Sequence, residues 1–276
     1  MNTVASRTQV ALNYVLLILC AIVAIYPLVG VALASLYPSG PASSPSGFAL
    51  PPTFAWHNYV DAWQQGKFAS SFTASFVVAA VMVPASVALS VLGGYAFATM
   101  RFRGSTVLFY LFILGLIIPT EATIVPLFYD IRGIGLLDTY WALILLEVSG
   151  EVAFGIFWMR AAFRSAPPSL LEAARIDGSN SWTTLWRIMV PFARPAILTL
   201  AVLTFADSWN EFFLALVFTV NKFTAPAGLA SFSGRYTTDI ALVSAGAVIV
   251  AVPILIVFIF FQREFMRGML TGAVKG

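Results

Sequence analysis

Charge is what this sequence has least of. Asp, Glu, Lys and Arg make up 10% of its 276 residues and apolar side chains 60%, against about 25% and roughly 45–50% in soluble domains. So few charges cannot cover a soluble core, and the composition points to lipid as solvent. A spanning helix needs about 20 apolar residues with its backbone bonds satisfied internally, and the length accommodates six. Histidine occurs once, at His57. That excludes a His-pair zinc protease motif and leaves any Ser/His/Asp arrangement resting on one loop residue, so no catalytic residue is assigned. The single cysteine, Cys20, lies inside the first apolar run, which excludes an internal disulfide and any multi-cysteine metal site. No metal ligands are assigned. The three lysines, Lys67, Lys222 and Lys275, lie in no G-x-x-x-x-G-K-[ST] loop, so the chain cannot cradle ATP phosphates by that route. Its 15 basic residues against 12 acidic ones leave a net charge of +3, and they form no block, which argues against a nucleic-acid partner. Period-two segments of about 10 residues, the mark of an outer-membrane barrel, are missing as well.

What the sequence does have is a series of charge-free runs. After Arg7 no charged residue appears until Asp61, and residues 10–36 are long enough for a tilted span. The Ala32-Leu33-Ala34 triplet imitates a signal-peptidase site, but the preceding run exceeds a secretory h-region of about 7–15 residues, so an uncleaved span is expected. Residues 38–52, rich in Pro, Ser and Gly, predict an extended exposed loop. Further spans are predicted at 68–100, 106–129, 140–163, 191–220 and 240–262, giving an all-α membrane protein of six helices in a single domain, 1–276. Six spans put both termini on one side. That side carries Arg7, Arg101, Arg103, Arg160, Arg164, Arg175, Arg187, Arg194, Arg263, Arg267 and Lys275, and the other only Lys67, Arg132, Lys222 and Arg235. The positive-inside rule makes the first side cytoplasmic. A multi-pass protein of a bacterial inner membrane, with N and C termini in the cytoplasm, is expected.

The largest inner loop, 164–191, is amphipathic. Pro167 and Pro168 suit the first turn of a short helix, Leu170, Leu171 and Ala174 give it an apolar face, and Gly178 suits its end. Ser181 is expected to cap a second helix running through Arg187. On amphipathicity alone this is either a rigid handle for a soluble partner or a helix lying on lipid headgroups.

The spacing of Leu171, Glu172-Ala173-Ala174, Arg175, Asp177, Gly178, Ile188 and Pro191 resembles the EAA loop of binding-protein-dependent ABC importer permeases, with Val190 where that family usually has Leu. Tyr95-Ala96-Phe97-Ala98, Arg101-Phe102-Arg103-Gly104, Ile118-Pro119-Thr120-Glu121, Pro126-Leu127-Phe128, Gly135 to Tyr140, Trp209-Asn210-Glu211-Phe212 and the ending Gly272 to Gly276 are similar to the carbohydrate-uptake branch, in particular the maltose-type second permease. The resemblance implies half of a translocation pore, paired with a second, heterologous permease and seated on an ABC ATPase dimer. Sugar would come from an extracytoplasmic binding protein. It implies no cofactor on this chain and ATP and Mg on the ATPase. Glu172 would meet basic groups of the ATPase, Ala173 and Ala174 would permit close approach, and Lys275 and Gly276 would also touch the ATPase pair.

Five carboxylates fall inside predicted spans: Glu121, Glu147, Glu151, Asp207 and Glu211. An ionised group at the bilayer centre costs about 2.5–3.5 kcal/mol even on the lenient scale, so each needs water, substrate or a partner. Helix rise puts Glu147 roughly 10 Å and Glu151 roughly 16 Å below the outer surface. Glu147 and Glu151, and likewise Asp207 and Glu211, share helix faces. These carboxylates either accept hydrogen bonds from sugar hydroxyls beside ring faces such as Trp209, Phe212, Tyr129 or Trp158, or hold helices and partner subunits together. Asn210 shares in either role. A different class, an ion-coupled secondary transporter using the carboxylates as proton or sodium sites, explains the acids but not the 164–191 loop.

Overall fold

The computed structural model describes residues 7–40, 49–232 and 238–273, with side chains described through 263. Arg235, Lys275 and Gly276 lie outside the described residues, as do 41–48 of the expected Pro/Ser loop and the side chains of Arg7 and Arg267. The helices are α1 (Arg7–Ala34), α2 (His57–Gln65), α3 (Phe68–Thr99), α4 (Ser105–Gly115), α5 (Thr120–Gly133), α6 (Tyr140–Arg164) and α7 (Pro168–Ile176). They continue as α8 (Ser181–Phe192), which contains a π turn at Leu185–Met189, then α9 (Arg194–Asn210), α10 (Phe213–Phe218) and α11 (Ile240–Ala273). Four of these, within α1, α3, α6 and α11, are long and apolar enough to cross a membrane, and the spans number up to six if each of two bent pairs is one span.

The bent pairs correct two sequence expectations. The helix expected over 106–129 breaks between α4 and α5, which meet at 97°. Pro119 is the cause: it cannot donate to the preceding turn, it restricts Ile118, and its own ψ of 131° sends the chain out of the helix. The span expected over 191–220 breaks twice. At Ala193 α8 and α9 meet at 78°, between Pro191 and Pro195, which both lack an N–H. At Glu211 the backbone becomes extended, with ψ 112°, and α10 starts anew. The helix expected to be capped by Ser181 is capped by Asn180, whose Oδ1 accepts from the Thr183 N–H at 2.8 Å. Pro84, Pro126 and Pro253 sit inside helices that run on through them. The short α2, absent from the sequence expectation, follows directly after the Pro-rich loop.

The chain forms two compact units, residues 1–68 with 229–252, and residues 69–228 with 253–276. In the first, buried Asn58 of α2 donates to the carbonyls of Ser35 (2.8 Å) and Tyr37 (2.7 Å), satisfying backbone just past α1. Asp239 caps α11 by accepting from the N–H groups of Ala241 and Leu242. In the second unit, α3 and α6 cross in backbone contact. A Cβ on Gly94 would sit 2.5 Å from Met159 Cβ and 2.9 Å from the Arg160 amide nitrogen, and one on Gly155 would strike Ser90. On one side of this crossing, Val78, Met82, Leu143, Leu146, Leu214 and Phe218 form a core. On the other, Val91, Tyr95, Met159, Phe163, Leu185, Met189 and Leu200 form a second core, onto which Leu170 and Leu171 of α7 pack.

Candidate functional site

Two features stand out in the second unit. The first is a cavity of about 160 Å³ lined by Thr120 and Glu121 of α5, Glu147, Gly150 and Glu151 of α6, and Asp207, Ser208 and Glu211 at the end of α9, with apolar walls that include Met82, Phe213 and Leu214. All five carboxylates of the expected spans meet here. They do so because α5 begins, and α9 ends, at the breaks described above, so Glu121 and Glu211 sit at helix termini facing the same one-turn stretch of α6. Glu147 is only 6% exposed. Its Oε2 accepts from Ser208 Oγ at 2.6 Å, while its Oε1 is buried without a hydrogen-bond partner. Glu151 and Glu211 lie within Coulombic range of Glu147, and Asp207 within range of Glu151. Glu211 closes the break it occupies: Oε1 accepts from the Leu214 N–H at 2.7 Å, and its carbonyl accepts from Thr224 Oγ1 at 3.0 Å.

The ring faces expected beside the acids are elsewhere. Trp209 is 1% exposed and packs among Phe72, Phe76 and Phe205 at centroid distances of 5.0–5.6 Å. It anchors α9 to α3 and is not a cavity wall; the residues that α9 presents to the cavity are Asp207, Ser208 and, at its end, Glu211. Asn210 Nδ2 donates to the Ala206 carbonyl at 2.8 Å, within its own helix. Trp158 Nε1 is committed to the Ala196 carbonyl at 3.0 Å. Tyr129 and Phe212 are exposed and do not line the cavity. Conversely, Ser208 and Thr120 do line it and were not expected as pathway residues, since a lone hydroxyl in an apolar run usually bonds its own helix backbone.

The second feature is the helix-turn-helix of α7 and α8. Pro167 and Pro168 lead into α7 with Pro168 at its first position. The helix ends in a Schellman motif: the Ser179 N–H reaches the Ala174 carbonyl at 2.9 Å and the Gly178 N–H the Arg175 carbonyl at 3.1 Å. Gly178 is left-handed at φ +73°, with open space where a Cβ would go. Leu170 and Leu171 pack inward and Ala174 is 2% exposed, while Glu172, Ala173, Arg175 and Asp177 face outward. Ile188 is half-buried and Pro191 exposed. The outward face also carries Ile176 at 86%, Trp182 at 64% and Trp186 at 43% exposure, the two indoles in edge contact at 5.6 Å. The sequence expectation missed these three. Their signal is present in hindsight as large apolar residues on the polar side of a short amphipathic helix pair.

Four to six apolar helices able to cross a membrane, together with an acidic cavity and a projecting helix pair within the second unit, are what a membrane transport subunit requires. The chain belongs to the family of binding-protein-dependent transport system inner membrane components, which its residues 87–264 match. It is 30% identical to the diacetylchitobiose uptake system permease of Streptomyces coelicolor over 98% of this chain and 91% of that protein. It is 35% identical to the arabinooligosaccharide transport system permease of Halalkalibacterium halodurans over 93% of each. One chain of a solved bacterial ABC transporter involved in import of the acidic polysaccharide alginate superposes with a TM-score of 0.76 at 26% identity, covering 95% of this chain and 99% of that one. The chain is thus a multi-pass inner-membrane permease component of an ABC importer. This identity displaces the ion-coupled alternative.

Proposed function

We propose that this chain forms half of the translocation pathway for a saccharide, across all of residues 1–276 as one transmembrane domain with six spans, two of them broken. Its partners are a second, heterologous permease, an ABC ATPase dimer that binds ATP and Mg, and an extracytoplasmic sugar-binding protein. The cargoes named for the Streptomyces and Halalkalibacterium permeases, both oligosaccharides, support that substrate class. The excess of arginine at one set of span ends supports cytoplasmic termini.

The observation that carries the coupling role is the α7–α8 pair, fixed by the Schellman turn and packed on the α3–α6 core by Leu170, Leu171 and Leu185. Such a pair transmits a push to the spans instead of flexing. Its outward face combines Glu172 and Arg175 with the exposed apolar area of Ile176 and Trp182, a mixture suited to a protein groove. Lys275 and Gly276 are proposed as a further ATPase contact. Glu121, Glu147, Glu151, Asp207 and Glu211 line the pathway, with Trp209 and Asn210 shaping it from within α9.

The test is to co-express the chain with its permease partner and ATPase, purify the complex and measure uptake in proteoliposomes supplied with the binding protein. ATP-dependent sugar uptake is expected. Glu172→Lys is expected to lose both uptake and co-purifying ATPase while remaining in the membrane. Transport by this chain alone, driven by an ion gradient, overturns the reading.

A further inference from the structure

We propose that the acidic cavity recognises a saccharide bearing a protonated amine, and discriminates against carboxylated ones. The inference rests on the transport reading above and names the substrate class of that site. Five carboxylates line the cavity and no Lys, Arg or His does. Other than water, the hydroxyls of Thr120 and Ser208 are the donors that its walls offer, and Ser208 is already committed to Glu147 Oε2. Glu147 Oε1 is left as a buried acceptor with nothing to accept from. In a span, an orphaned acceptor of this kind is costly unless something supplies a donor. The breaks that open α4–α5 and α9–α10 are what expose the cluster to a ligand rather than burying it between helices.

The occupant must bring donors and must not bring negative charge. Among the described residues no group of three or more His, Cys, Asp or Glu side chains is arranged to hold a metal ion. The space, about 160 Å³, has room for about five waters at ~30 Å³ each, more than a desolvated monovalent ion fills. An alkylammonium on a sugar ring satisfies both demands: it offers three N–H donors to converging carboxylates, and charge-assisted bonds are about twice as strong as neutral ones. A uronate or sugar phosphate would instead bring further acceptors and negative charge to walls that offer no cationic side chain and few donors.

Three probes built on one pyranose ring separate the cases: glucosamine, N-acetylglucosamine and glucuronate, each measured by saturation-transfer NMR on the assembled importer in nanodiscs. Glucosamine is expected to bind about tenfold tighter than its neutral acetylated counterpart, and glucuronate not to compete. Glu147→Gln/Glu151→Gln is expected to abolish the preference, and Asp207→Asn, at an exposed position that perturbs packing less, to reduce it. Co-purification of the ATPase and second permease verifies that each variant is assembled. Equal binding of glucosamine and N-acetylglucosamine, as would follow if a basic side chain of the second permease filled the cavity, overturns the proposal. So does a preference that survives all three substitutions. Loss of ATP-dependent uptake for every saccharide, by contrast, overturns the importer reading itself.

Discussion

Single residues decide where this chain turns. Gly178 is the clearest case. At φ +73° a Cβ costs about 1 kcal/mol in backbone strain, yet no atom lies within 4 Å of where it would sit. Gly178→Ala is therefore expected to keep the fold at a small cost. Gly178→Trp adds a bulky ring on the outward face and is expected to abolish uptake and release the ATPase while the protein stays inserted, as membrane fractionation with ATPase co-purification would show. Normal transport by inserted Gly178→Trp protein would remove α7–α8 from the coupling role. Asp138, in the loop before α6, is the second case. The backbone N–H of Asn221, its side-chain amide and the Val220 N–H hold the carboxyl down to about 2 from an ordinary 3.8, with Lys222 adding attraction. A depressed folded-state value means the tie stabilises the protein fully above about pH 4 and is lost as pH falls toward 2. Wild type is expected to melt above Asp138→Asn at pH 6, with the gap closing as thermal unfolding is repeated at pH 4, 3 and 2.

At the scale of elements, charge placement made the spans legible and the breaks illegible. Residues 140–163 and 68–100 were expected as spans and fold as α6 and α3, because long apolar runs bounded by charged residues leave few alternatives. Residues 106–129 look equally apolar, but hydropathy does not separate a straight span from one that turns by 97°. A proline such as Pro119 interrupts helix hydrogen bonding, but the size of the resulting turn does not follow from the residue alone. The same limit applied to the site. The i, i+4 pairs Glu147/Glu151 and Asp207/Glu211 follow from helix geometry alone, whereas their meeting with Glu121 depends on breaks that bring three helices to one place. Trp209 shows the converse: an aromatic within a membrane motif reads as a ligand platform, yet it serves as the packing anchor of α9. The α3–α6 crossing supplies the elemental prediction. Gly94 faces backbone, Cβ and amide nitrogen, not the flexible end of a side chain, so the helices must separate to admit a substituent. Gly94→Val is expected to destabilise the protein by several times the ~1 kcal/mol of an ordinary substitution. Thermal unfolding and protease resistance in detergent would register it, while Gly115→Ala, where a Cβ meets nothing, should leave both within error.

For the molecule as a whole, the composition that left few charges also leaves a chain whose topology can be tested cleanly. Cys20 is the single cysteine and sits within the apolar window of α1, where an aqueous maleimide has no access and Cys20→Ser removes even that background. On the Cys-free protein, one cysteine at a time can then be placed at exposed positions assigned to opposite sides: His57 and Asn221 outside, Ser169 and Asp177 inside. A membrane-impermeant maleimide added to intact spheroplasts is expected to label His57→Cys and Asn221→Cys, and to reach Ser169→Cys and Asp177→Cys only after the membrane is opened. The pattern follows from eleven basic residues on one side against four on the other, and it requires α4–α5 to act as one complete span and α9–α10 as another. If α4–α5 instead dipped into the bilayer and returned, the number of crossings before α7 would change by one, and Asp177→Cys would react in intact spheroplasts. That outcome would place α7–α8 on the wrong side for any cytoplasmic ATPase, so one labelling experiment tests the broken spans and the coupling role together.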